Sequence, residues 1–308
     1  MKNYSAPIAQ PEYHAEFWNM IRGKSVQDDQ LNKGYNRTYG TYMMPATSGG
    51  EVEKVIRKES VFRSISTVID AHAHSYRIFA KDTNDLAMFV PENGEIPIYD
   101  GIDDFTVHTV DCHKLAVFLK MDADFVRDAS FDVENYLSTR LGKNFGMAED
   151  KAFILGTGER EPVGILHDTE GAEIGASVST LDYASVIDLF FSVKAEYRKN
   201  GVWLMNDKTA LALRKLKDAD GNYLWNSNND TILGKPVMIS EFMPDIAPGS
   251  KPVAFGCFEY YWIICRGDVS VRPLREKFAL NDQVGFLAME FLDGKLIRRD
   301  AVKVISLK

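Results

Sequence analysis

The stretch that organises the chain runs from Ser130 to Leu166 and reads SFDVENYLSTRLGKNFGMAEDKAFILGTGEREPVGIL. Apolar residues recur in its first part at spacings of three and four, which predicts an amphipathic helix from Asp132 to Ile154. At about 1.5 Å per residue this helix is roughly 35 Å long, the length of a whole small domain. Ser130 or Asp132 can cap its start by accepting hydrogen bonds from backbone N–H groups. The apolar stripe consists of Val133, Leu137, Leu141, Phe145, Ala148 and Ala152.

Two glycines lie inside this predicted helix. Gly142 and Gly146 each lower its intrinsic stability by about 1 kcal/mol relative to alanine. We therefore expect packing on a sheet to hold the helix. The segment 156–158, Gly-Thr-Gly, ends it, and the Pro-Val-Gly-Ile-Leu segment 162–166 leads into a turn and a short apolar strand.

The composition is that of an ordinary folded protein. With 308 residues, 45% hydrophobic and 26% charged, the chain can bury a sizeable core in one or two domains. Its 44 acidic and 36 basic residues give a net charge of −8. This balance argues against a basic surface that binds nucleic acid by neutralising phosphates.

The cysteines and the hydropathy pattern predict a cytoplasmic protein. Cys112, Cys257 and Cys265 are an odd number without metal-ligand spacing, which indicates buried thiols in a reducing compartment. No apolar run is long enough to span a bilayer, and the N-terminus has no apolar core of the kind a secretory signal needs.

Residues 1–58 read as an extended N-terminal arm with one short helix. Tyr13, Phe17 and Ile21 give that helix an apolar face, but the segment after it is polar and supplies no core of its own. We therefore expect the arm to pack on a neighbouring subunit, with Phe17 and Trp18 at the contact.

A second extended feature is a β-arm. Two strand-like runs, 75–81 and 105–121, flank a polar tip at residues 82–102. A two-stranded arm with apolar residues at its tip is marginal alone in water, so we expect it to lie across a partner. The tip residues predicted to contact the neighbouring subunit are Met88, Phe89 and Ile96.

The C-terminal half alternates helix and strand signals. We expect a polar hairpin-like stretch over residues 167–180 and a second amphipathic helix over 181–199. Strands are expected at 286–291 and 301–307, around an Asp-Gly turn at 293–294.

Several of these segments resemble the major capsid proteins of tailed bacteriophages, which share the Hong Kong phage capsid fold. The Gly-Thr-Gly turn and the segment 162–166 are similar to the end of that family's spine helix. A strand at 202–205, a helix at 207–216, Trp225 and the Leu-Gly-Lys-Pro-Val segment 233–237 are similar to its axial domain. This second similarity is the more specific of the two.

The resemblance implies an α+β fold with an N-terminal arm, an extended β-arm (the E-loop), a peripheral domain containing the spine helix, and an axial domain. The boundaries follow from the order of the segments. They are 1–58 for the N-terminal arm, 59–128 for the β-arm (tip 82–102) and the start of the peripheral domain, 129–176 for the spine helix and peripheral domain, 177–260 for the axial domain, and 261–308 for peripheral strands that return to the axial domain.

The function that the resemblance implies is structural. It implies a major capsid (head) protein that self-assembles as hexamers and pentamers into an icosahedral shell around phage double-stranded DNA. The shell encloses the DNA without sequence-specific binding. Expected partners are other copies of the chain, a separate scaffolding protein, a portal and a maturation protease. The chain would be assembled in the host bacterial cytoplasm and reside in the virion capsid. No membrane contact, catalytic residue, cofactor or metal site is expected.

Two alternatives belong to other classes. An encapsulin-like compartment has the same fold but holds a cargo enzyme instead of DNA. A metal-dependent hydrolase is suggested by His72 and His74, because two imidazoles two residues apart on a strand face the same way and can share a divalent metal. That fold needs further histidine ligands after later strands of a barrel, and the segment 103–121 reads as one long strand instead.

Overall fold

The computed structural model describes residues 6–71, 75–81, 105–217, 221, 223, 225 and 231–308. The α-helices are α1 (Pro11–Arg22), α2 (Asp28–Leu31), α3 (Ala46–Glu59), α4 (Val61–Ile65), α5 (Ala123–Arg127), α6 (Val133–Leu155), α7 (Tyr183–Ser192), α8 (Ala195–Arg198) and α9 (Asp207–Arg214). The strands are β1 (Tyr35–Asn36), β2 (Thr41–Met43), β3 (Thr67–Ala71), β4 (Ser75–Lys81), β5 (Phe105–Asp111), β6 (His113–Asp122), β7 (Glu173–Val178), β8 (Val202–Met205), β9 (Thr231–Ile232), β10 (Lys235–Ile239), β11 (Val253–Gly256), β12 (Tyr261–Arg266), β13 (Ser270–Leu274), β14 (Gln283–Leu296) and β15 (Val302–Leu307). The fold class is α+β, as the sequence predicts.

The spine helix α6 forms where the apolar stripe predicts it. At its start the Asp132 carboxylate accepts a hydrogen bond of 3.0 Å from the N–H of Asn135, which is an N-cap. At its end Gly156 leaves the helical conformation, and its N–H still bonds to the carbonyl of Ala152. The predicted bounds of this helix are therefore confirmed to within one residue.

The spine helix packs on the expected sheet but packs more extensively on another helix. It contacts β6 and β14 of the large sheet, but α3 packs along it more extensively. The crossing is close because Gly142 has no side chain: a Cβ there would lie 2.6 Å from Cβ of Val55 and 2.8 Å from the carbonyl oxygen of Val52. The glycines that weaken the isolated helix thus allow α3 to approach it.

The larger sheet has seven strands and is organised around β14. Its order is β1-β2-β13-β14-β12-β3, and β6 pairs with β14 along the other side, from Gln283 opposite Asp122 to Leu292 opposite His113. The predicted Asp-Gly turn at 293–294 is wrong, because both residues lie inside β14 and pair with β12. A Cβ on Gly294 would lie 2.6 Å from Oη of Tyr261, so this glycine makes room for a buried ring.

The smaller sheet has six strands in the order β7-β15-β11-β8-β10-β9. The predicted hairpin over 167–180 is wrong, because β7 pairs in parallel with β15 from the far end of the chain. One face of this sheet packs against α7 and α9. The other face packs against Phe153 and Phe62, near the end of the spine helix. The two sheets thus share a core at this place.

The predicted helix over 181–199 is divided in two. Helix α7 ends at Ser192, whose hydroxyl donates to the carbonyl of Leu189. Val193 is extended and fully buried, and α8 starts two residues later. The interruption thus coincides with a side chain buried in the core of the six-stranded sheet.

Residues 6–58, the described part of the predicted arm, do not lack a core, and that expectation is wrong. Tyr13, Phe17 and Trp18 of α1 are buried in one core with α3, the spine helix and the large sheet. The Tyr13 hydroxyl donates to the carbonyl of Met43 at 2.6 Å, and Nε1 of Trp18 donates to Oγ of Ser48 at 3.1 Å. The chain's own strands and helices supply the apolar surface that α1 needs, which the local sequence could not reveal.

The β-arm has the predicted two-stranded base. Strands β4 and β5 pair antiparallel, from Ser75 opposite Asp111 to Lys81 opposite Phe105. The tip residues Met88, Phe89 and Ile96 and the histidines His72 and His74 lie outside the described residues. None of the described helices is long and apolar enough to cross a membrane.

Candidate assembly surfaces

A buried ion pair fixes α4 to the spine helix. Nε and Nη2 of Arg63 donate to the two carboxylate oxygens of Glu149 at 2.6 Å each, and both side chains are almost wholly buried. Although burial lowers the pKa of Arg63, the negative charges of Cys265 in its ionised form and of the Glu149 carboxylate outweigh this effect, so the pKa lies well above its ordinary value. Breaking such a pair leaves one charge buried without its partner.

Asp150, the next residue of the spine helix, holds the start of α4. The Asp150 carboxylate accepts from the hydroxyl of Ser60 and from the backbone N–H groups of Val61 and Phe62, at 2.7 to 3.1 Å. Burial raises the pKa of Asp150 although these hydrogen bonds lower it. Glu149 and Asp150 therefore both serve to position α4 and the strand β3 that follows it.

A buried carboxyl group lies at the base of the β-arm. Asp293 of β14 accepts from the N–H of Gly294 at 2.7 Å, and Nε2 of His113 lies 3.9 Å from its carboxylate. Burial raises the pKa of Asp293 from 3.8 to about 7, although hydrogen bonds from the backbone of Gly294 and Asp111 lower it. Because the folded-state pKa lies above the unfolded-state value, ionisation of Asp293 costs stability as the pH rises from about 4 to 7.

A cleft lies beside the last turns of the spine helix. It has a volume of about 400 Å³ and is lined by β6, by the helix and by the turn that follows it. Leu155 at the helix end is exposed into this region, and Glu161 holds the turn by accepting from the N–H and hydroxyl of Thr157. The surface is mixed in polarity, as protein–protein contact surfaces are.

The six-stranded domain exposes large apolar side chains at two places. Ile174 of β7 and Phe191 of α7 lie where β7 forms one edge of the sheet. Leu211 of α9 and Ile239 of β10 lie towards the opposite edge. Exposed apolar groups gathered on one domain are typical of surfaces that a partner covers.

The large-sheet domain exposes apolar residues at one end. Phe118 of β6 is partly exposed beside Phe278, and Lys120 and Lys277 lie over these rings. Leu280, in the connection between β13 and β14, is completely exposed. This end of the domain is a further candidate contact surface.

The sequence-predicted contact residues have different outcomes. Phe17 and Trp18 are buried within their own chain, so in this fold they hold α1 in place and present no surface to a neighbour. Met88, Phe89 and Ile96 belong to the undescribed part of the β-arm.

The sequence analysis missed Phe191, although adjacent Phe190 and Phe191 on one helix gave a signal. Two successive helical residues point about 100° apart, so a core that buries one does not necessarily cover the other. The structure buries much of Phe190 against Trp203 and Phe255 and leaves Phe191 outside.

The titratable groups do not assemble into a metal centre. Among the residues that the structure describes, no three His, Cys, Asp or Glu side chains lie close enough to hold a metal ion. Cys112, Cys257 and Cys265 are free, buried thiols, as the sequence predicts.

A long helix on a seven-stranded sheet, a second, six-stranded sheet and a two-stranded arm together form the architecture expected of a capsid-shell subunit. The model of the phage capsid family matches residues 40–307. The chain belongs to the phage capsid family, and the resemblance seen in the sequence is confirmed.

Solved structures agree with this assignment. The chain is 31% identical to the capsid of a native GTA particle, with a TM-score of 0.68, covering 80% of this chain and 89% of that one. It is 32% identical to the capsid of an empty GTA particle, with a TM-score of 0.70 and coverages of 81% and 90%. Both structures were computed with C5 symmetry.

A more distant match shows the fold alone. A structure from Microbacterium phage Oxtober96 is 17% identical, with a TM-score of 0.60, and covers 81% of this chain and 91% of that one. Comparison with curated proteins gives no match. The chain is a major capsid protein, a structural subunit of an icosahedral shell.

Proposed function

We propose that the chain forms pentamers and hexamers that close into a phage head around double-stranded DNA. The observation that carries this proposal is the family match over residues 40–307, together with 31% identity to the capsid of a GTA particle computed with C5 symmetry. The net charge of −8 suits a wall that encloses DNA without gripping it.

In this proposal the axial domain, 177–260, forms the centre of each pentamer or hexamer, and the peripheral domain carries the contacts between them. The six-stranded sheet also takes β7 and β15, which agrees with residues 261–308 returning to the axial domain. The exposed apolar residues of both domains support this division, because an isolated soluble subunit gains nothing by exposing them.

The β-arm ties neighbouring subunits together through Met88, Phe89 and Ile96. Its sequence supports such a role, because residues 82–104 contain seven acidic residues and no lysine or arginine alongside these apolar side chains. A segment of this composition is soluble on its own and can bury its apolar residues on a partner.

The role of the chain is mechanical, and we propose no catalytic step for it. Partners consistent with the family are a separate scaffolding protein, a portal and a maturation protease, and assembly takes place in the host bacterial cytoplasm. In this proposal each of these partners acts on the shell, and the chain itself performs no reaction.

Light scattering and negative-stain imaging of the purified chain test the proposal. Closed shells, or rings of five or six subunits, are the expected result, and shells formed during infection should protect DNA from nuclease. A chain that stays monomeric with and without co-expressed scaffolding protein would contradict it. Shells that contain a protein cargo and no nucleic acid would favour the encapsulin-like alternative.

Deleting residues 84–99 tests the β-arm separately. We expect a folded subunit with an unchanged urea midpoint, because the described core lies elsewhere, but particles that dissociate at lower denaturant concentration than those of the full chain. A deletion that leaves no soluble subunit would refute the assignment of this segment as a contact arm.

A further inference from the structure

A closed ring of identical subunits requires each subunit to present two different, complementary surfaces. Contacts between identical surfaces generate a two-fold dimer, whereas head-to-tail contacts generate a ring. If the axial domains surround the axis of a pentamer or hexamer, as proposed above, one side of each must fit the other side of the next. The inference developed below rests on that proposed function.

The axial domain has such a pair of surfaces, one towards each edge of its sheet. Helix α7 covers β7, β15 and β11, and it leaves 64% of the Phe191 side chain exposed. Helix α9 connects the parallel strands β8 and β10 on the other side, where Leu211 is 53% and Ile239 40% exposed. We call the first surface the α7 edge and the second the α9 groove.

The α9 groove is concave. It encloses about 290 Å³ between α9 and β10. The apolar part of its lining is formed by Ala210, Leu211, Trp225, Val237 and Ile239, and the charged residues Asp207 and Arg214 line the rest. The groove therefore offers a site for one large apolar side chain from outside the subunit.

The aromatic ring of the α7 edge is held in place by a neighbouring guanidinium. The guanidinium of Arg198 lies 4.9 Å from the centre of the Phe191 ring and 5.2 Å from that of Phe190. Stacking against a guanidinium limits the ring's rotamers, so less conformational entropy is lost when the ring enters a pocket.

The charges around the two surfaces are complementary. At the α7 edge, Asp188 is exposed one turn before Phe191, and Arg198 lies over the Phe191 ring. In the groove, Asp207 and Arg214 are exposed beside Leu211, and the guanidinium of Arg214 lies 4.7 Å from the Trp225 ring. Each surface thus carries one acidic and one basic group beside its apolar centre, so a charge of each sign can face its opposite.

We propose that the α7 edge of one subunit docks into the α9 groove of the next, with Phe191 inserted between Leu211, Trp225 and Ile239. The occupant of the groove is a second copy of this chain. This contact is head-to-tail, so repeating it around an axis closes a ring. It makes Phe191 a central contact of the pentamer and hexamer, surrounded by the Asp188 and Arg198 charges.

Thiol cross-linking between two single variants tests this arrangement. Phe191→Cys and Ile239→Cys are expressed separately, mixed before assembly, and treated with a short bismaleimide once particles have been isolated. The native thiols give a low background, because burial raises the pKa of Cys112 and of Cys257 to about 11. We expect covalent dimers in the mixture and none in particles of either variant alone.

The controls separate this inference from the proposed function. A mixture of Phe191→Cys with Leu280→Cys, an exposed position of the other domain, should give no dimers at matched particle yield. Particles that form but never cross-link between positions 191 and 239 would overturn the inference and leave the shell function standing. Dimers from Phe191→Cys alone would also overturn it, because they require two α7 edges to meet. Failure of the unsubstituted chain to form any ring or shell would refute both.

Charge reversal gives a second measurement that needs no cross-linker. Asp188→Lys and Arg214→Glu should each reduce the yield of particles at least tenfold, because each places like charges together at the contact. The double variant should recover most of the lost yield. Equal yields for all four proteins would overturn the proposed pairing of these two residues.

Discussion

Replacing Gly142 with alanine should destabilise the subunit, although alanine is the better helix former. An alanine at this position regains about 1 kcal/mol of helix propensity. Its Cβ would lie 2.6 Å from Cβ of Val55 and 2.8 Å from the carbonyl oxygen of Val52, whereas carbon atoms pack at about 3.5–4.0 Å. Helix α3 would have to move away by nearly 1 Å, and overpacking of this kind costs about 1–3 kcal/mol.

Gly146 provides a matched control one turn later in the same helix. A Cβ there would lie no closer than 3.1 Å to Cβ of Glu59 and the carbonyl oxygen of Ile56, a contact that small shifts relieve. Gly146→Ala gains the same propensity, so its free energy of unfolding should stay within about 1 kcal/mol of the original. Gly142→Ala should be less stable than Gly146→Ala by about 1–2 kcal/mol.

Urea denaturation of unassembled subunits measures this difference. Tryptophan fluorescence is a suitable probe, since Trp18 lies in the core that α1 and α3 share with the spine helix. The slope of free energy against urea should stay the same while the midpoint falls for Gly142→Ala. A Gly142→Ala variant as stable as Gly146→Ala would refute the argument that close approach of α3 requires glycine.

Three further predictions concern buried groups. Arg63→Ala should lower the free energy of unfolding by about 3–5 kcal/mol, and Arg63→Met combined with Glu149→Met should restore most of it, measured by urea denaturation. At pH 8, Asp293→Asn should be more stable than the original chain by up to about 4 kcal/mol, because the pKa of Asp293 is raised to about 7 and its ionisation costs stability. This advantage should disappear towards pH 4. Equal differences in stability at both pH values would contradict the prediction. Phe17→Ala should cost the unassembled subunit about 3–5 kcal/mol, whereas an effect confined to particle assembly would restore the original view of Phe17 as a subunit contact.

Local patterns predicted several elements correctly. The apolar stripe and the cap at Asp132 gave the spine helix, because helix periodicity and capping depend on residues within a few positions of each other. The short strand at 202–205 and the helix after it were predicted for the same reason. The family resemblance then supplied the capsid fold, which composition alone could not.

Predictions that depended on distant partners were the ones that failed. The Asp-Gly pair at 293–294 has the composition of a turn, but strand β12 pairs with both residues and keeps them extended. The 167–180 segment looked like a hairpin, but its strand pairs with β15, more than a hundred residues later. Pairing energy comes from whichever strand lies alongside, and a local window does not contain it.

The contact residues show the same difference between what local sequence predicts and what distant partners decide. The sequence by itself determined that the chain is an α+β capsid subunit with a long spine helix and a two-stranded β-arm. Only the tertiary structure decided which aromatic side chains remain exposed: Phe17 and Trp18 are covered by the chain's own core, and Phe191 is not. The reason is physical, because the burial of an apolar side chain depends on what folds against it, and most of that surface comes from residues far away in the sequence.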